Sequence, residues 1–119
     1  MKGLFATCAL ACSLLIGQPA FAAATWLYGV TIKTVYPYTD GSFVVTLSSS
    51  PSSCTNTGSP DKNFYVTVNA APNGNTTTET GARNLFALAL QASAMTKTVD
   101  VLFDSSTSNC YIGAMILHS

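Results

Sequence analysis

The residues of this 119-residue chain best suited to chemistry are Tyr36, Tyr38 and Asp40, within Tyr36-Pro37-Tyr38-Thr39-Asp40-Gly41. A tyrosine ring stacks on the apolar face of a sugar, and a neighbouring carboxylate fixes the sugar's hydroxyl groups. This grouping therefore marks a candidate ligand surface with glycans as its natural occupants. The competing reading, that the rings fill a core, applies to these two tyrosines and equally to Trp26, Tyr28, Tyr65 and Tyr111, which fall on predicted strands.

The other reactive residue types read more plainly. His118 is the only histidine and the penultimate residue, a position that supplies neither partners nor fixed geometry for catalysis or metal binding, so it is expected to be solvated. Asp100 and Asp104 flank a predicted strand and Glu79 opens a predicted helix. Their spacing selects no carboxylate pair for glycoside chemistry, and solvated or turn-capping roles are expected. No Gly-x-Ser-x-Gly elbow is present. The chain reads as non-enzymatic, without cofactor or metal; a small hydrolase using Asp100 or Glu79 is the alternative from another class. Asn75-Thr76-Thr77 fits the glycosylation acceptor pattern, but a bacterial type of export signal argues against its use.

That export signal is the N-terminal stretch. Lys2 precedes an apolar run from Leu4 to Ile16, and Gln18-Pro19-Ala20-Phe21-Ala22 closes on small residues. Residues 1–22 match a secretory signal peptide, too short to remain as a membrane span. Cys8 and Cys12 would leave with it. One domain, 23–119, then retains Cys54 and Cys110, which in an oxidising compartment are expected to form an intramolecular disulfide; an intermolecular bridge or two free thiols are the other readings. The expected location is the periplasm or the extracellular space, with no membrane anchor.

Charge excludes a further class. Only 8% of residues are charged. Lys33, Lys62, Arg83 and Lys97 stand against Asp40, Asp61, Glu79, Asp100 and Asp104, a net charge of about −1 after cleavage. A nucleic-acid binder needs clustered cations to displace phosphate counterions, and none can be built here.

The elements that must position these residues follow from periodicity. Trp26 to Tyr36 alternates as one strand with Trp26, Tyr28, Val30 and Ile32 on one face, and Gly29 marks a bend or bulge in it. Asp40-Gly41 turns the chain into a second strand, Ser42 to Leu47, forming an antiparallel hairpin. A polar loop, 48–63, holds Cys54 and precedes a third strand marked by Phe64, Val66 and Val68. Leu85, Leu88, Ala89 and Ala92 recur at helical spacing between Glu79 and Lys97, with Thr78 or Thr80 as N-cap. Val99, Val101 and Phe103 alternate as a fourth strand. Cys110 to Leu117, apolar on both faces apart from Gly113, is a fifth, central or helix-covered strand.

Three strands, a helix and two strands is the order of a small five-stranded oligonucleotide/oligosaccharide-binding (OB-like) barrel. An open antiparallel sheet with one packed helix has the same order. Phe86-x-Leu88-x-x-Gln91-Ala92, the Thr96-Lys97 turn and Val99-x-Val101, placed after three strands and before a final apolar strand, resemble the B subunits of subtilase and pertussis-like AB5 toxins. The resemblance implies a secreted barrel that assembles into a pentameric ring and binds sialylated glycans. That family's pocket uses an Asp and Ser cluster near its first strand where this chain has Trp26-Leu27-Tyr28-Gly29, so no pocket residue carries over, and the cysteine layout differs. The chain is equally similar to short uncharacterised exported proteins of Gram-negative bacteria, with a Trp-Leu-x-Gly opening and a Cys-Tyr-Ile type ending. The expectation is an exported, non-enzymatic binding domain for a glycan or a secreted protein, with homo-oligomerisation open. The alternative is a structural or assembly protein without a small-molecule ligand.

Overall fold

The computed structural model describes residues 24–55 and 61–119. The expected signal peptide, with Cys8 and Cys12, lies outside the described residues. The described chain is mainly β with one helix: β1 (Ala24–Val30), β2 (Ile32–Pro37), β3 (Phe43–Leu47), β4 (Asn63–Val66), α1 (Glu79–Met95), β5 (Val99–Asp104) and β6 (Cys110–Leu117). No helix among the described residues is long and apolar enough to cross a membrane.

The six strands form one mixed sheet in the order β1-β5-β6-β4-β3-β2, antiparallel except for the parallel pair β4–β6. This corrects two expectations. Among the described residues there are six strands rather than five, because the first predicted strand divides at Gly29 to Thr31, and the hydrogen-bonded ladder is open rather than a closed barrel. Gly29 takes φ +65°, a left-handed conformation that costs a side-chain-bearing residue about 1–2 kcal/mol. Its amide leaves the ladder and donates to the Asp100 carboxylate at 2.9 Å.

The resulting bulge falls between Leu27, which pairs with Val101, and Val30, which pairs with Val99. An inserted residue reverses the alternation. Leu27 and Val30 therefore share the core face, and Trp26 and Tyr28 do not share a face with Val30 and Ile32 as the simple alternation predicts. Beyond Thr31 the chain pairs with β3, at the other edge of the sheet. Five strand spacings in a flat sheet would separate those edges by about 24 Å. A single residue cannot span that distance, so the sheet is strongly coiled.

The core lies inside the coil. Phe43, Val45, Leu47, Phe64, Val66, Val99, Val101, Phe103 and Ile112 are essentially inaccessible. Phe64 meets Phe103 edge to face at 5.6 Å. β6 is central, as its two-sided apolar sequence predicts, and α1 packs through Ala82, Ala89 and Ala92. The helix begins where Thr78 accepts a hydrogen bond from the Gly81 amide at 2.9 Å, and ends on Thr96 in the left-handed conformation. Cys54 and Cys110 form a disulfide with Cα atoms 5.6 Å apart, tying the polar loop after β3 to the start of β6.

Candidate functional site

The β2–β3 turn and the first turns of α1 enclose a cleft of about 420 Å³ lined by Tyr38, Asp40, Glu79, Arg83 and Phe86, with the turn backbone between them. Local sequence explains its rigidity. The Tyr38 amide donates to the Ser42 carbonyl at 2.8 Å, and the Ser42 amide donates to the Asp40 carboxylate at 2.9 Å, an Asx turn closed by Gly41 at φ +96°. The Val68 amide donates to Ser42 Oγ at 3.0 Å, and the Asn69 side chain donates to the second Asp40 oxygen, so the turn is anchored to the segment after β4.

On the helix side, Glu79 lies in the first turn, where the dipole favours an anion, and Arg83 reaches back to it at 3.3 Å. Both side chains are mostly exposed, so the pair is weak and its charges are available to a ligand. Phe86 forms an apolar wall, held edge-on by Phe43 at 5.3 Å. Tyr38 is 58% exposed. The cleft thus offers an aromatic ring, two carboxylates and a guanidinium. No group of three or more metal-ligating residues exists among the described residues.

The structure places Tyr38 and Asp40 together in this cleft. Tyr36 lies elsewhere: it is exposed on β2, opposite Val44 of β3, and does not line the cleft. Glu79, Arg83 and Phe86 were not singled out as ligand contacts in the sequence. Glu79 was legible only as the acid that opens the helix and Phe86 only by helical spacing, and neither signal says what packs against the helix N-terminus.

Two polar clusters differ from the sequence expectation. His118 is not simply solvated: its Nε2 lies 2.8 Å from the Asp100 carboxylate, and its amide donates to the Thr98 carbonyl at 3.1 Å. Asp100 is buried rather than solvated. The Gly29 amide first, then the His118 side chain, hold its carboxyl below the ordinary aspartate value against the opposing effect of burial.

Asp104 is also buried, accepting from Asn75 Nδ2 at 2.8 Å and from the Ser106 amide at 2.8 Å. Burial pushes its carboxyl up, but the hydrogen bonds from Asn75 and Ser106 together outweigh it, and the net displacement is downward. Asn75 itself is 1% exposed, which closes the glycosylation acceptor to any transferase acting on the folded chain.

No protein-family model matches the chain, and no curated protein matches it.

Proposed function

We propose that this chain is an exported, non-catalytic binding domain that takes a glycan in the cleft between the β2–β3 turn and α1. The observation that carries this reading is the exposed Tyr38 ring lying in one cleft with Asp40, Glu79 and Arg83. A ring face to stack on, with charged and hydrogen-bonding groups around it, is the arrangement that sugar recognition requires. The rigid turn lowers the entropy cost of binding. A binding role rather than turnover is favoured because Asp100 and Asp104 spend carboxylate oxygens on internal hydrogen bonds, and His118 is engaged with Asp100.

The fold reading goes one step further. With α1 between β4 and β5, and with both sheet edges supplied by one bent segment, the connectivity fits a partly open OB-like barrel. Export is supported by the long-range disulfide and by the N-terminal sequence pattern.

The test is a glycan array probed with the oxidised domain and with Tyr38→Ala and Arg83→Ala variants. Saturable binding lost in both variants is expected. A folded wild-type domain that binds no glycan would refute the reading.

A second reading, self-assembly or docking on a secreted protein, is favoured by a different observation. Trp26 and Tyr28 stack at 6.2 Å on the edge strand β1, and Tyr28 and Ile116 are largely exposed. Light scattering that finds only monomer, unchanged by Tyr28→Ser, would count against self-assembly.

A further inference from the structure

β1 and β2 form the two edges of the sheet, and the residues along those edges differ in kind. β2 is guarded against pairing with another chain: its register slips between Ile32 and Thr34, Lys33 is exposed at the slip, and the strand ends on Pro37. A bulge, a lysine and a proline are devices by which natural sheets block edge-to-edge pairing. β1 has the opposite character. Ala24–Val30 contains no charged residue and no proline, and Ala24 to Leu27 keep continuous register with β5, so the edge is regular up to the bulge. Among the described residues β1 pairs with β5 alone, which leaves the backbone amides and carbonyls on its far side without a strand partner.

Both faces beside this edge are incompletely covered. On the inner side, Leu27 packs against the core yet is only half-buried. On the outer side, Trp26 pairs with Leu102 and Leu102 with Ala114. Directly paired residues project to the same side, and none of these three belongs to the core. Tyr28 stacks on Trp26 with the ring planes 19° apart and is 68% exposed. Ile116, paired with Asp100 in the next row, is 47% exposed. The charged groups of this face, Asp100 and His118, are bonded to one another at 2.8 Å.

We propose that β1 is the contact of a two-fold symmetric dimer, in which it pairs antiparallel with β1 of a second copy and joins the two sheets into one. This narrows the self-assembly reading to one partner and one contact. A free, regular strand edge is completed by another strand. That strand is β1 of a second copy because the edge carries no charge for a foreign strand to match, whereas an uncharged strand meets itself without like-charge repulsion. Rotation about an axis normal to the sheet keeps each face on its own side. Trp26 and Tyr28 of both copies then form one row of four rings outside, and both Leu27 side chains lie along the inside, so a single contact covers the edge and both apolar faces. Ala24 to Tyr28 offer about 17 Å of edge. That is small for a specific interface, so the dimer is a weak one that forms in the micromolar range.

Trp26 is the only tryptophan, so its emission reports on the contact directly. The cleft shares no residue with β1, so the outcome is independent of glycan binding. The experiment follows sedimentation equilibrium, tryptophan emission and amide hydrogen exchange of the oxidised, processed chain from low micromolar to millimolar concentration. Expected are a mass rising from one chain toward two, a blue shift of the emission in step with it, and protection appearing at the β1 amides that point away from β5. Thr25→Lys and Tyr28→Lys, both at exposed positions, should each weaken association at least about 10-fold. Tyr36→Lys, at the exposed edge of β2, should leave it unchanged. A chain that stays monomeric throughout overturns the proposal and the self-assembly reading together. A dimer or ring indifferent to Thr25→Lys and Tyr28→Lys, or one broken by Tyr36→Lys, leaves self-assembly standing and overturns the β1 contact alone.

Discussion

His118 and Asp100 are joined across the end of the sheet, Nε2 to carboxylate at 2.8 Å, and the same carboxylate receives the Gly29 amide at the bend between β1 and β2. One buried aspartate thus holds together the chain's bend, its fifth strand and its C-terminal residues. Because Asp100 is ionised more readily in the folded chain than in the unfolded one, its contribution to stability is present above the unfolded aspartate value, about 3.9. That contribution disappears as pH falls from there through the lower folded value. Urea midpoints measured across the acid range should decline in that window for the wild type, and Asp100→Asn should flatten the decline. A wild-type profile that is level down to the unfolded value and below, matching that of Asp100→Asn, would remove Asp100 from this role.

The disulfide should dominate stability. Cys54 and Cys110 are separated by 56 residues, and closing a loop of that size stabilises by about 4 kcal/mol on the chain-entropy model. Cys54→Ser and Cys110→Ser should each lose most of that amount under oxidising conditions. The wild type should match them once reduced. Equal melting temperatures for oxidised wild type and either variant would contradict this.

Asn75→Ala should destabilise by about 2 kcal/mol, because it withdraws a donor from the buried Asp104 carboxylate. It should also flatten the loss of stability on acidification, since with only Ser106 opposing burial the folded Asp104 carboxyl is no longer held so far below its unfolded value. Denaturant titrations at neutral and mildly acid pH measure both effects. A variant whose stability falls as steeply with acid as that of the wild type would show that the Asn75 bond does not govern Asp104.

Gly29→Ala isolates backbone strain from packing. A Cβ there meets nothing within 4 Å, so the expected cost of about 1–2 kcal/mol comes from the left-handed φ of +65° alone. Gly29→Asn should cost less, because asparagine tolerates this conformation better. Equal stabilities for all three chains, by denaturant unfolding, would show that the bend relaxes freely.

The parts of the fold legible in the sequence are those decided locally. Thr78, Glu79 and the Leu85–Ala92 stripe mark α1, alternation marks β3 and β5, a run apolar on both faces marks β6, and Asp40-Gly41 marks the β2–β3 turn. Gly29 announced an irregularity but not its outcome. Sending β1 and β2 to opposite edges depends on Asp100, 71 residues away, accepting the displaced amide. Shorter separations concealed the engagement of His118 with Asp100, 18 residues apart, and the burial of Asn75 by Asp104, 29 residues on. At the candidate site, Tyr38 and Asp40 were visible as residues that could hold a ligand. The helix residues completing the cleft looked like an ordinary solvated turn until the β2–β3 turn packed beside them.

The one-residue link at Thr31 also sets an order of assembly. The two halves of the 24–37 segment wait unequally for their partners: β2 has its partner β3 within a few residues, whereas β1 has none until Val99 to Asp104 are available. Trp26 and Leu27 consequently have no strand neighbours until β5 is in place. β1 docking, the contact with the longest loop to close, is then the step on which completion of the fold depends.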